Sequence, residues 1–218
     1  DFLLEKCYDG KNGLFHFFDG KANVNGLLPD NIYFLNCLMD VYYTTQNQKY
    51  LEKIKEIADF ILKNFYDGKY GGFFDKILKE DDLGTLKHRN KQFLENSFSA
   101  IVYLRLYFLT KNEKYKQAAE KTLLYFAGSY LNFGYFAAMY ATAVGMLLSG
   151  EIKVDIVSRR DLLNVGIASN NPRVVVNFIE NSKKSNQCYE AEGAYVCKGA
   201  LCKGPINDDK KLEEELAN

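Results

Sequence analysis

The sequence predicts a mainly α fold, part of an (α/α)6-type toroid of helical hairpins over residues 1–150, followed by a small α/β segment over residues 151–218. Three observations predict it. The stretch "LPDNIYFLNCLMDVYYTTQNQKYLEKIKEIADFILKNF" superposes on "LENSFSAIVYLRLYFLTKNEKYKQAAEKTLLYF" with a shift of 65 residues: Asn31 falls on Asn96, Tyr42 on Tyr107, Thr45 on Thr110, Asn47 on Asn112, and Lys49-Tyr50 on Lys114-Tyr115. Agreement that includes turn residues marks a structural repeat. Within each repeat a helix that is apolar nearly all round precedes one with a single apolar stripe, the patterns of a buried and a surface helix. After Gly150 the pattern shifts to short β-branched runs.

Taken in order, "DFLLEKC" reads as the last two turns of a helix, so the chain is expected to be a fragment of something longer. Residues 32–43 and 98–109 are the buried helices, 49–65 and 115–126 the amphipathic ones, and 133–148 ("FGYFAAMYATAVGMLL") a third buried helix. The turns "TQNQKY" and "TKNEKY" place Asn where one helix stops and the next is capped. Inner helices lining an axis with outer helices around them form a ring. Six hairpins of roughly 60 residues would complete it, and this chain supplies less than half. "YDGKNGLFHFFD" (8–19) and "YDGKYGGFFD" (66–75) fall where the chain enters an inner helix, so both lie on one face; Gly10 and Gly68 suit a left-handed helix cap, and the aromatic run a short hairpin over the mouth of the ring. "KVDIVS" (153–158), "RVVVNFI" (173–179) and "AYVC" (194–197) predict parallel strands, with helices at "RRDLLNVGI" and "INDDKKLEEEL".

Composition sets bounds. The chain is 47% hydrophobic and 26% charged, with 28 basic and 28 acidic residues. This balance gives no electrostatic reason to expect nucleic acid, an anionic membrane or an acidic substrate as partner. Polar residues interrupt the apolar stretches before the roughly 18–20 residues of a bilayer span, so no transmembrane helix is expected. Five cysteines in a chain of this length favour reduced thiols and a cytoplasmic location. No G-x-x-x-x-G-K-[ST] or G-x-G-x-x-G occurs, and no cofactor is expected.

"DGKANVNGLLPDN", "KYGGFFD", "FLENSFSAIVYLRLYFLTKNEKY", "AYVCKGALC" and "PINDDKKLEEEL" occur in the order that resembles the C-terminal region of thioredoxin-domain proteins related to spermatogenesis-associated protein 20. In that family a thioredoxin-like domain precedes a six-hairpin toroid similar to those of the N-acylglucosamine and cellobiose 2-epimerases and of six-hairpin glycosidases. The resemblance spans essentially the whole chain. It implies a carbohydrate-binding or carbohydrate-processing site at the inner-helix mouth, and as partners a sugar ligand, the missing N-terminal half of the toroid, or a thioredoxin-like domain. The alternative is a non-enzymatic scaffold that docks such a partner or another copy of itself.

The candidate residues lie on the mouth face. Asp30-Asn31 and Glu95-Asn96 open successive inner helices; Asp30 and Glu95 suit a general acid and base, Asn31 and Asn96 hydrogen bonds to hydroxyl groups, and all four equally suit helix capping. His16 and His88 are the proton-transfer candidates. Phe73, Phe74 and Asp75, and Arg89 beside Lys87, are candidate substrate contacts, the phenylalanines alternatively core. Asp40 and Arg105 occupy equivalent positions in two apolar helices, which predicts an interhelical ion pair. Cys197 and Cys202, with Cys188 upstream, lack the spacing and histidine neighbours of a zinc site, so no metal is expected; they form either a reversible thiol pair or two inert buried cysteines.

Overall fold

The computed structural model describes residues 1–180, 189 and 191–217. A short helix α1 (Phe2–Lys6) leads into three antiparallel strands, β1 (Tyr8–Asp9), β2 (Gly13–Phe18) and β3 (Ala22–Asn25), with Tyr8 opposite Leu14 and Phe15 opposite Asn25. Two helical hairpins follow: α2 (Leu28–Thr45) with α3 (Gln48–Asn64), and α4 (Phe93–Thr110) with α5 (Glu113–Phe126). A 3₁₀ segment (Tyr130–Ala137) then precedes α6 (Ala138–Ser149). The remainder is β4 (Ile152–Val157), α7 (Arg160–Ala168), β5 (Val174–Ile179), β6 (Gly193–Lys198), β7 (Leu201–Ile206) and α8 (Asp209–Ala217).

The hairpin turns repeat atom for atom. Gln46 and Lys111 close α2 and α4 in the left-handed conformation, each amide bonding back to Tyr42 or Tyr107 at 2.7 Å. One residue later, the Asn47 and Asn112 side chains cap α3 and α5 by accepting from the amides of Lys49 and Lys114. Exposed helix N-termini need such an acceptor, and Asn supplies it. The apolar stripes pack inward: Ile54, Ile57, Ala58 and Ile61 of α3 are fully buried, and the Tyr103 hydroxyl of α4 donates to the Ala58 carbonyl at 2.8 Å.

The expectation of a partial toroid is not met. The fold is mixed α/β, with a three-stranded and a four-stranded sheet, and its helices do not build a ring. The aromatic run at 13–18 does form a short hairpin, β2 pairing with β3, whereas "YDGKYGGFFD" keeps a single bridge, Tyr66 to Phe73. The second sheet, in the order β5-β4-β6-β7, has β4 and β5 parallel and β4, β6 and β7 antiparallel, rather than parallel throughout. This unit packs α7 on α2 and β5 on α4, so helices that are apolar nearly all round are covered partly by an α/β layer instead of by further hairpins. Strand alternation makes β5 serve two cores: Val175 joins the helical core, while Val174 and Val176 belong to the core of the sheet.

Gln46 adds a polar seam at the same junction. Its side-chain amide donates to the Val176 carbonyl at 3.4 Å and accepts from the Phe178 amide at 3.2 Å, on the edge of β5 away from β4.

Two further expectations change. Residues 133–148 are not a third buried helix: α6 has 12 residues, and the preceding segment turns at Gly134 (φ 55°). Together Tyr130–Ser149 do have the length and apolarity of a membrane span, contrary to the reading that every apolar stretch is interrupted, yet the kink leaves a straight helix only about 18 Å long against a hydrocarbon core of about 30 Å. Nor are Gly10 and Gly68 left-handed; Gly13, Gly71 and Gly72 are. At Gly13 a Cβ would lie 2.5 Å from both Asn31 Oδ1 and the Phe60 ring, so glycine is required there by contact as well as by its φ of 77°.

Candidate functional site

Most of the predicted site residues lie near the entries to α2 and α4, and the repeat governs what they do. Asp9 and Asp67 hold the two "YDGK" turns: Asp9 Oδ1 accepts from the amides of Lys11 (2.8 Å) and Asn12 (2.6 Å), Asp67 Oδ1 from those of Lys69 (3.0 Å) and Tyr70 (3.1 Å). Burial opposes the charged form of both carboxyls, but hydrogen bonds outweigh it and hold them below their ordinary range, those of Asn12 and Lys11 at Asp9 and those of Lys91, Tyr70 and Lys69 at Asp67.

The asparagines one turn into each helix clamp the same segments. Asn31 Oδ1 accepts from the Leu14 amide at 2.9 Å while its Nδ2 donates to the Leu27 carbonyl at 2.8 Å. Asn96 Oδ1 accepts from the Phe73 amide at 2.6 Å, and its Nδ2 donates to the carbonyls of Phe73 (2.9 Å) and Gln92 (2.8 Å). Both side chains are wholly buried and committed to backbone. Phe73, also wholly buried, stacks on Tyr103 at 5.1 Å and is core.

Of the proposed acid-base groups, the structure joins one pair. His16 on β2 places Nδ1 3.0 and 3.1 Å from the two oxygens of Asp30 in the first turn of α2, with the ring half exposed. A carboxylate at Nδ1 orients the imidazole. Beside the pair lies an apolar hollow of about 320 Å³ lined by Leu3, Leu14, Pro29, Tyr33 and Phe34. His88 is not part of this group: it is exposed at the end of a 3₁₀ turn and its side chain has no hydrogen bond or ion pair among the described residues. Glu95 is half-buried in the first turn of α4, again with no side-chain partner among them.

The remaining contacts are local. Asp75 Oδ1 accepts from the Asn90 amide at 2.9 Å, and the Arg89 guanidinium lies 3.8 Å over the Phe74 ring. On Lys91, which sequence reasoning passed over, the ammonium is nearly buried between Asp67 (2.9 Å) and the Gly71 carbonyl (2.6 Å), and it lies 4.1 Å over the Tyr125 ring. Also missed was the stack of Tyr33 on Phe98 at 4.6 Å. The repeat offered the signal, because residues related by the shift of 65 meet across α2 and α4; the expected Asp40–Arg105 pair forms in the same way, at 2.6 Å.

Cys197 and Cys202 are joined in a disulfide across the β6–β7 hairpin, directly opposite one another, with Cys202 exposed. Of the two alternatives the structure has the pair, and the expectations of reduced thiols and of two inert buried cysteines are not met at these positions. The residues between them make a tight turn, so a C-x₄-C spacing places both cysteines at facing positions. Cys188 lies outside the described residues. Among the described residues no group of three or more His, Cys, Asp or Glu could hold a metal ion.

No family model matches the chain. It is 25% identical over 231 residues to uncharacterized protein B0495.5 of Caenorhabditis elegans, an alignment that covers 97% of this chain and 31% of the worm protein. A second match, to DNA-directed RNA polymerase subunit beta of Eimeria tenella, is 28% identical over 117 residues and covers 51% of this chain and 11% of that subunit. The chain therefore spans about a third of the length of the first relative and a ninth of the second.

Proposed function

We propose that this chain is a non-enzymatic docking module whose 3₁₀–α6 face packs on further protein, as a segment of a longer polypeptide packs on its remainder. The carrying observation is Tyr130–Ser149, a predominantly apolar segment in whose most apolar 18-residue stretch only 17% of the residues are buried. Leu131, Tyr135 and Leu148 are each more than three-quarters exposed, and Leu124 of α5 is 68% exposed. Exposed apolar side chains in this number seek a partner. The worm relative, about three times the length of the aligned segment, fits a partner within the same polypeptide. Only one side of α6 is buried, through Tyr140, Ala143 and Met146, so the opposite side is available.

Light scattering tests this. The isolated chain is expected to self-associate with rising concentration, and Leu131→Ser/Tyr135→Ser/Leu148→Ser to abolish that association while keeping the helical circular dichroism. A chain that stays monomeric at high concentration overturns the reading.

The His16–Asp30 pair supports a second reading, carbohydrate binding or processing beside the apolar hollow at the start of α2. Sugars present hydroxyls to such a pair and carbon faces to such a hollow. A panel of mono- and disaccharides is expected to raise the melting temperature of the chain but not of Asp30→Ala. No shift with any sugar ends this reading.

A further inference from the structure

A second cavity lies away from the mouth face, where the middle turns of α2 and α4 meet the α7–β5 corner. It measures about 380 Å³, within the range of small-molecule sites. Apolar side chains line both sides: Phe98 and Ile101 on the helical side, Ile167, Pro172 and Val174 on the other. Tyr43 also lines it, and the Tyr43 hydroxyl is buried with no hydrogen-bond partner among the described residues. Burial holds that hydroxyl protonated, its pKa raised to about 12.

Polar groups line both sides of the cleft, Asn36, Asp40 and Arg105 on the helical side and Ser169, Asn170 and Asn171 on the other. Arg105 donates to Asp40 Oδ1 at 2.6 Å and to Asn36 Oδ1. That leaves the Asn36 amide donors, Asp40 Oδ2 and the Arg105 Nε–H without a hydrogen-bond partner among the described residues. Across the cleft the Ser169 hydroxyl and the Asn171 side chain are already bonded to backbone. One guanidinium and one carboxylate cancel, so a net charge on the ligand gains nothing. Apolar side chains on both sides, with a cluster of open donors and acceptors on the helical side, fit a ring with a polar edge better than a sugar, whose hydroxyls radiate on every side. Arg, Asn and Asp are also the side chains that pair with base edges: guanidinium and amide to ring nitrogens and carbonyls, carboxylate to an exocyclic amine.

We propose that this cleft binds a neutral, nucleobase-sized nitrogen heterocycle, free or as its nucleoside, slotted between Phe98/Ile101 and Ile167/Pro172/Val174 and read along its edge by Asn36, Asp40 and Arg105. The site is independent of the docking face and of the His16–Asp30 pair.

The test is a titration of the whole chain with adenosine, guanosine, cytidine and uridine, their 5′-monophosphates and glucose, read by amide chemical shifts. Saturable binding of at least one nucleoside is expected, with shifts at Gly166, Ile167 and Asn170. Asn36→Ala, a change on a half-buried helix position that favours the helix, is expected to weaken binding about tenfold, the worth of one or two hydrogen bonds. No nucleoside binding at millimolar concentration overturns the proposal, as does a monophosphate binding more tightly than its nucleoside, or glucose producing the same shifts. Shifts confined to other surfaces overturn it without any variant being needed.

Discussion

Replacing Asn96 by Ala should be among the most damaging single changes in the helical part of the protein. The side chain is fully buried, and it satisfies both the amide and the carbonyl of Phe73, itself fully buried. Gln92 loses little, since its carbonyl still accepts from the Asn96 backbone amide at 3.1 Å. Two buried backbone groups are orphaned, each costing about 1–3 kcal/mol, so the loss is about 4 kcal/mol. For a chain of this size that corresponds to a fall of about 8–16 °C in melting temperature. Asn31→Ala orphans one inward backbone group, the Leu14 amide, and should cost about half as much. Urea unfolding at constant m, with hydrogen exchange at the Phe73 amide, measures both. A loss below about 1 kcal/mol for Asn96→Ala, or a larger loss for Asn31→Ala, refutes the clamp and returns these amides to the pool of ligand contacts.

Three further outcomes are expected. The depressed Asp67 carboxyl contributes stability that is present above its unfolded pKa and lost as pH falls through the lower folded one, so unfolding free energy should drop below about pH 4. Asp67→Asn should flatten that limb, and an unchanged acid limb contradicts this. Reducing Cys197–Cys202, which closes a loop of sequence separation 5, should cost about 2 kcal/mol by chain-entropy reasoning; Cys197→Ser/Cys202→Ser should match the reduced protein, and a wild type insensitive to reductant counts against it. Gln46→Ala keeps the same left-handed backbone cost at φ 54° but removes the amide, so a loss of about 1 kcal/mol and faster exchange at Phe178 should follow; unchanged protection there excludes the seam.

The helices were legible because their determinants are local. Asn47 and Asn112 cap within three residues of where they stand, and the stripe of Ile54, Ile57 and Ile61 announces its period. Ring closure is not local: all-round apolarity in α2 and α4 says that they are covered, not by what, and an α/β layer covers them as well as more hairpins do. The same ambiguity misplaced α6, whose apolarity is that of a buried helix although most of its surface is open. Strand β7 escaped notice because "LCKGPI" carries Gly204 and Pro205 in place of β-branched residues. At the candidate site, the sequence placed Asp30 and Glu95 at helix starts but could not show that His16 meets only the first, since that depends on the register of β2 against α2.

Gln46 has a consequence for solubility. A strand edge with free amides and carbonyls is a template on which another chain can add a strand. At β5 a side-chain amide occupies that edge as one residue of a neighbouring strand would, so sheet growth between molecules is blocked on that side. The opposite edge, β7, is guarded differently, by Lys203 and by Pro205, which has no amide to donate. Aggregation that begins in this sheet should therefore begin near Leu201, which is 79% exposed at the hairpin end of β7.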